Sequence, residues 1–104
     1  MNDMFTLVKQ AYQDIGYPEA IEEHHQGGSI AYLPREILAQ PHDATILAEG
    51  QAFAWNPSIR GAKSEDTIIL GPCGPTIITQ TPDWPMVSVP INNQTLLRPT
   101  ILER

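Results

Sequence analysis

The sequence predicts an α+β domain, one N-terminal helix followed by a curved, mainly antiparallel sheet. Three observations carry that reading. Ten prolines fall at positions 18, 34, 41, 57, 72, 75, 82, 85, 90 and 99, which leaves only the first 17 residues free of them. Proline fixes its own backbone angle, removes an amide donor and restricts the residue before it, so long helices cannot pass through this density. The proline-free stretch carries apolar residues at helical spacing, and the rest divides into short branched or aromatic runs bounded by Gly, Pro or Asn.

In the first element Phe5, Val8, Tyr12 and Ile15 recur three and four residues apart, with Met1, Met4, Leu7 and Ala11 widening the stripe. Asn2 or Asp3 can accept from first-turn amides, and Gly16 followed by Pro18 supplies the stop. Strands are predicted over Ser29 to Tyr32, Ala52 to Trp55, Glu65 to Leu70, Thr76 to Thr79, Met86 to Val89 and Gln94 to Leu97. Thr67-Ile68-Ile69-Leu70 does not alternate, which suggests a strand covered on both faces. Gly27-Gly28 reads either as a turn between strands or as a loop that touches a ligand. Asn92-Asn93 suits a tight turn between the last two strands. There is no repeat, low-complexity tract or linker, so 104 residues make one domain.

Composition removes several classes of function. Six Lys and Arg stand against 12 Asp and Glu, a formal charge of −6. The basic residues Lys9, Arg35, Arg60, Lys63, Arg98 and Arg104 are scattered, so no surface is expected to track a nucleic-acid backbone. No apolar run approaches the ~20 residues of a membrane span, and the N-terminal MNDMFTLVKQ lacks the pattern of a signal peptide. A single cysteine, Cys73 in Gly-Pro-Cys-Gly-Pro, cannot form an internal disulfide, which makes the cytoplasm the expected compartment. Nothing around it lowers a thiol pKa, and it reads as a turn residue.

Polar residues with chemical potential concentrate in three stretches: HHQGGSIAYLPRE from His24 to Glu36, EGQAFAWNPS from Glu49 to Ser58, and KSEDTIIL from Lys63 to Leu70. On extended backbone the adjacent His24 and His25 point to opposite sides, so they make a poor metal pair. Glu65 and Asp66 obey the same alternation: one can look into a pocket while the other bonds a neighbouring turn. Asn56 precedes Pro57 and is held extended, and Trp55 beside it can line a ligand site. His42 reads as a surface loop residue, and Trp84 as a core or pocket-wall residue.

Taken in order, these stretches resemble the C-terminal part of a pita-bread protein. That fold is shared by methionine aminopeptidase, prolidase, aminopeptidase P and creatinase, and the nearest likeness is to bacterial Xaa-Pro peptidase-like members. HHQGGSIAYLPRE lies where the peptidases carry H-G-x-x-H-x-x-G-x-x-x-H. EGQAFAWNPS matches a stretch that usually ends in Glu-Pro-Gly, and KSEDT matches R-x-E-D-T. Asp83-Trp84-Pro85 and Arg98-Pro99-Thr100-Ile101-Leu102 fit the same members, so the resemblance covers nearly the whole chain.

The resemblance implies roles position by position. His24 falls on the first histidine of the segment, which lies beside the metals and contacts substrate. The metal-ligating histidine falls on Gly28, the carbonyl-stabilising histidine on Arg35 and the first ligand glutamate on Asn56. The bridging glutamate falls on Glu65 and is retained. Glycine offers no side chain, a neutral amide ligates weakly and takes no proton near neutral pH, and a guanidinium repels a dication. No dinuclear metal centre is therefore expected, and no cofactor. Creatinase has this fold and hydrolyses its substrate without metal, using a histidine and pocket carboxylates. By that likeness His24 is a general acid/base, Glu65 anchors a cationic group, and Arg35 or Asn56 binds a carboxylate or carbonyl of a small peptide or amide. Pita-bread proteins lacking ligands also serve as interaction domains, which gives the alternative of a non-catalytic module. A pita-bread site lies between two related halves and this chain matches one. The chain is therefore expected to be inactive alone, and either to pair with a second copy or a separate N-terminal half or to be a truncated remnant, with no nucleic acid and no membrane.

Overall fold

A computed structural model describes residues 1–103. Helix α1 spans Asn2–Asp14 and is followed by a short 3₁₀ helix over Pro18–Glu22. Nine strands follow: β1 Gly27–Ile30, β2 Ile37–Leu38, β3 Ala52–Trp55, β4 Ser58–Ile59, β5 Ala62–Lys63, β6 Asp66–Gly71, β7 Gly74–Ile77, β8 Met86–Ile91 and β9 Gln94–Pro99. They form a five-stranded sheet in the order β2-β1-β3-β6-β7 and two hairpins, β4-β5 and β8-β9, with every pairing antiparallel. One helix and a mainly antiparallel sheet make this an α+β domain.

Gly16, at a positive φ of 83°, ends α1 as expected, and its amide and that of Tyr17 return to the carbonyls of Gln13 and Tyr12. The start differs from expectation. Met1 is the N-cap with no side-chain bond, because the Asn2 side-chain oxygen instead accepts from the His42 amide, 2.8 Å away. The buried stripe is also narrower than the sequence suggests. Tyr12 is buried and Phe5 and Val8 half-buried, whereas Leu7, Ala11 and Ile15 face solvent.

Two apolar clusters hold the helix to the sheet. Met1, Ala39 and Phe53 form one, with Phe5, Leu47, Trp55, Ile68 and Leu70 packed around them. Tyr12, Ala20 and Ile21 form the other, joined by Phe5, Val8 and Ile59. Phe53 and Ile68 are direct cross-strand partners and therefore share a face, which α1 covers through Met1 and Phe5. The opposite face carries Ala54, Thr67, Ile69 and Ile78, and Ile69 and Ile78 remain exposed. The expectation of two covered faces for Thr67–Leu70 is thus corrected: β6 is paired on both sides, but only one of its faces is packed.

Gly27-Gly28 is neither a turn nor a ligand loop; both residues lie inside β1. A Cβ on Gly28 would stand 1.9 Å from the Ile37 carbonyl oxygen, and one on Gly27 2.3 Å from that of Ala54. The close approach glycine permits is to neighbouring strands. The expected strand at Ser29 to Tyr32 consequently starts two residues earlier and ends at Ile30, with Tyr32 fully exposed beyond it. Asn92 and Asn93 form the β8-β9 turn with φ of 46° and 63°, the left-handed pair a two-residue hairpin turn requires.

Candidate functional site

Register brings the three polar stretches to one end of the main sheet. Gly27 opposes Trp55, and Trp55 opposes Asp66. The residues just outside those positions, His24 to Gln26 before β1, Asn56 after β3 and Glu65 before β6, therefore lie side by side. The Asn56 amide donates to the Gln26 carbonyl at 2.9 Å, extending the β1-β3 ladder by one step.

Asn56 is 2 % exposed, its Nδ2 lies 3.4 Å from His24 Nδ1, and its Oδ1 is buried without a partner. His24 is exposed, with Nδ1 2.5 Å from the His25 carbonyl oxygen. The chain bends at His24, so the opposite-sides expectation for the two histidines does not hold: their rings lie 4.3 Å apart, tilted by 34°. Desolvation, then the nearby His24, Arg35 and Lys63 charges, hold the His25 imidazole below its ordinary pKa.

Arg35, on the β1-β2 connection, reaches Glu65 at 3.8 Å and is the more buried of the two. It donates to the Pro34 carbonyl at 2.6 Å, and its Nε is buried without a partner. Lys63, at the end of β5, stands 2.7 Å from Glu65. That bond, with the Lys63, Arg35 and His24 charges, holds the Glu65 carboxyl below its usual range. Asp66 has partners of its own. It accepts from the Thr79 hydroxyl at 2.6 Å and pairs with Arg98, which also donates to the Ser64 hydroxyl at 2.8 Å.

Among the sequence-predicted residues, His24, Asn56, Arg35 and Glu65 form one electrostatic cluster. Trp55 does not join it, because alternation turns its ring onto the Phe53 core and over Gly27. His24 and Glu65 also line different cavities. One of about 260 Å³ is bordered by His24, His25, Gln26, Phe5 and Leu38. The other, of about 250 Å³, is bordered by Glu65, Asp66, Thr79, Trp84 and Arg98. Trp84 is a pocket-wall residue and donates to the Thr100 carbonyl at 2.9 Å. His42 is an exposed loop residue at a φ of 64°, and Cys73 is exposed in the β6-β7 turn.

Sequence reasoning missed Gln26 and Lys63. Gln26 is 1 % exposed, accepts from the Tyr12 hydroxyl at 2.7 Å and donates to the carbonyls of Ile21 and His24. Nothing in its neighbourhood announces that role. Lys63 was legible: two residues before Glu65 on extended chain, it shares a side with it.

A two-metal centre of the kind the family resemblance implies does not fit these residues. Gly28 faces the Ile37 carbonyl, Asn56 is enclosed and neutral, and Glu65 is committed to two cations. Among the described residues, no three His, Cys, Asp or Glu side chains gather as a ligand set. No described helix is long and apolar enough to cross a membrane. Comparison with protein-family models, with curated proteins and with solved structures finds no match to this chain.

Proposed function

We propose that the chain is the C-terminal part of an Xaa-Pro peptidase-like hydrolase of the pita-bread class, acting without metal on a peptide or small amide. The observation that supports it most is the register Gly27–Trp55–Asp66, which sets His24, Asn56 and Glu65 side by side at one sheet end with Arg35 reaching across. In this reading His24 moves the proton, Arg35 holds a substrate carboxylate or carbonyl, and Glu65 receives a cationic group once Lys63 gives way. The same reading makes this chain half of a cleft. Its accessible surface is 7831 Å², against about 5,800 Å² for a self-contained monomer of this mass. The excess, about 2,000 Å² on one partner, exceeds the about 800 Å² per partner of a standard interface and matches the larger, obligate class. It fits cover by a separate N-terminal half or a second copy, and the single free cysteine fits the cytoplasm as the place of action.

A second reading, a non-catalytic binding module, draws on a different observation: His24 and Glu65 border separate cavities, and Glu65 already has two cationic partners. One experiment separates the two. The chain and its His24→Ala variant are offered Xaa-Pro dipeptides and simple amides in the presence of a chelator. Turnover that falls by at least ~10²-fold in the variant supports the hydrolase, as loss of a general acid/base does. Binding without turnover supports the module; absence of both refutes hydrolysis by this chain or its self-assembled form, and leaves the hydrolase only where a separate N-terminal half completes the cleft.

A further inference from the structure

We infer that Asn56 is a positioning residue that supports the Nδ1-protonated tautomer of His24, presenting its amide oxygen as a second acceptor beside the His25 carbonyl and leaving Nε2 as the free basic nitrogen. The inference rests on the hydrolase reading for its purpose but not for its geometry. His24 Nδ1 has two polar neighbours, the His25 carbonyl oxygen at 2.5 Å and the Asn56 amide at 3.4 Å. A carbonyl oxygen has only lone pairs to offer, so a contact this short requires a proton on Nδ1. An amide nitrogen in the Nδ2 position would then set donor against donor. Rotating the amide by half a turn exchanges Oδ1 and Nδ2, which occupy nearly the same volume, and gives the Nδ1 proton a second acceptor.

The exchange does not change the cost of burial. One amide atom of Asn56 is enclosed without a partner in either orientation, Oδ1 before the turn and Nδ2 after it. That penalty therefore cancels, and the His25 contact decides. Backbone geometry holds the amide in place, since the Asn56 N–H is tied to the Gln26 carbonyl at 2.9 Å and the residue is almost wholly buried. Gln26 in turn donates to the His24 carbonyl, so the bend that carries His24 is fixed from both sides. A base oriented through its second nitrogen by a fixed acceptor is the arrangement that general-base catalysis needs.

The test is spectroscopic. Two-bond ¹H–¹⁵N correlation on the histidine-labelled chain, well above the ordinary imidazole pKa of about 6.5, distinguishes the two nitrogens. His24 is expected to show a protonated Nδ1 and an unprotonated Nε2; the reverse pattern overturns the inference. Asn56→Leu removes the acceptor and is expected to shift population toward the Nε2-protonated form. Asn56→Asp retains an acceptor and is expected to restore the Nδ1-protonated form. An unchanged tautomer in Asn56→Leu removes Asn56 as the positioning residue. Failure to fold in that variant leaves the wild-type spectrum as the deciding measurement. The Nδ1-protonated form in a chain without turnover upholds this inference and refutes hydrolysis by this chain on its own; the Nε2-protonated form in an active chain overturns this inference and leaves the hydrolase standing.

Discussion

Gly28 and Gly61 show how differently one residue type is used within a single chain. Gly28 has β2 so close that a methyl group there would overlap the Ile37 carbonyl, while Gly61 has φ +89° and open space around its absent Cβ. Gly28→Ala must displace an entire strand and is expected to cost about 3 kcal/mol or more. Gly61→Ala meets only backbone strain and is expected to cost about 1–2 kcal/mol. Urea midpoints of the two variants check the ranking, and equal losses would contradict the packing account. Tyr12 makes a second case at this scale. Its hydroxyl donates to Gln26 Oε1 and accepts from the Ser58 amide, both at 2.7 Å, joining α1 to the segment before β1 and to β4. Tyr12→Phe keeps the apolar contacts and orphans two buried groups, so a loss of about 1–3 kcal/mol is expected in the same measurement.

Among the elements, the β8-β9 hairpin stands apart. It pairs with no other strand, and a lone hairpin is marginally stable in water. Arg98 on β9 ties it to β6 through Asp66 and to the preceding loop through Ser64. In Arg98→Ala the amides of Val89 and Leu96 are expected to exchange faster by about tenfold, with those of Phe53 and Ile68 unchanged. Equal acceleration everywhere would mean that the hairpin does not open on its own. Its prolines also have a reason. The Thr100 amide donates to the Pro85 carbonyl, so counting along the register puts Pro90 and Pro99 in non-hydrogen-bonded pairs, where their nitrogens face outward. The Ile78 amide donating to the Thr67 carbonyl gives Pro75 the same place on β7, an edge of the main sheet. Proline at these positions removes the donors that a foreign strand would use.

At the scale of the whole molecule, the radius of gyration is 14.3 Å, against about 13 Å for a domain of this length. Exposed Ile69, Ile78, Val87, Leu97 and Ile101 belong to the same excess of surface. Stability is also expected to respond to pH as a whole. His25 and Glu65 both have pKa values below their ordinary ones, so the unfolded chain binds more protons than the folded one as pH falls. Stability is therefore full above the ordinary histidine range. It declines first through the His25 window and then through the lower Glu65 window. His25→Gln is expected to remove the upper part of that decline and leave the lower, as thermal unfolding at several pH values would reveal. Both groups lie near the surface, and salt is expected to weaken the Glu65 part.

The sequence by itself determined the local elements. Proline spacing confined the long helix to the N-terminus, Gly16 ended it, branched runs placed β3 at Ala52–Trp55, and Asn92-Asn93 set the last turn. These features are decided by backbone sterics and side-chain alternation within a few residues, so they are legible in one dimension. Tertiary structure decided the rest. Gly27-Gly28 became strand because β2 and β3 close in on it from both sides, and β2, β4 and β5 have two residues each, too few to carry a pattern. The His24 and His25 rings came together because the chain bends before β1, and Trp55 turned into the core through its register with Gly27. Arg35 met Glu65, and Asn56 met His24, from positions about 30 residues apart in the chain. Those encounters depend on which strands pair and in what register, and register is fixed by burial of a shared apolar face.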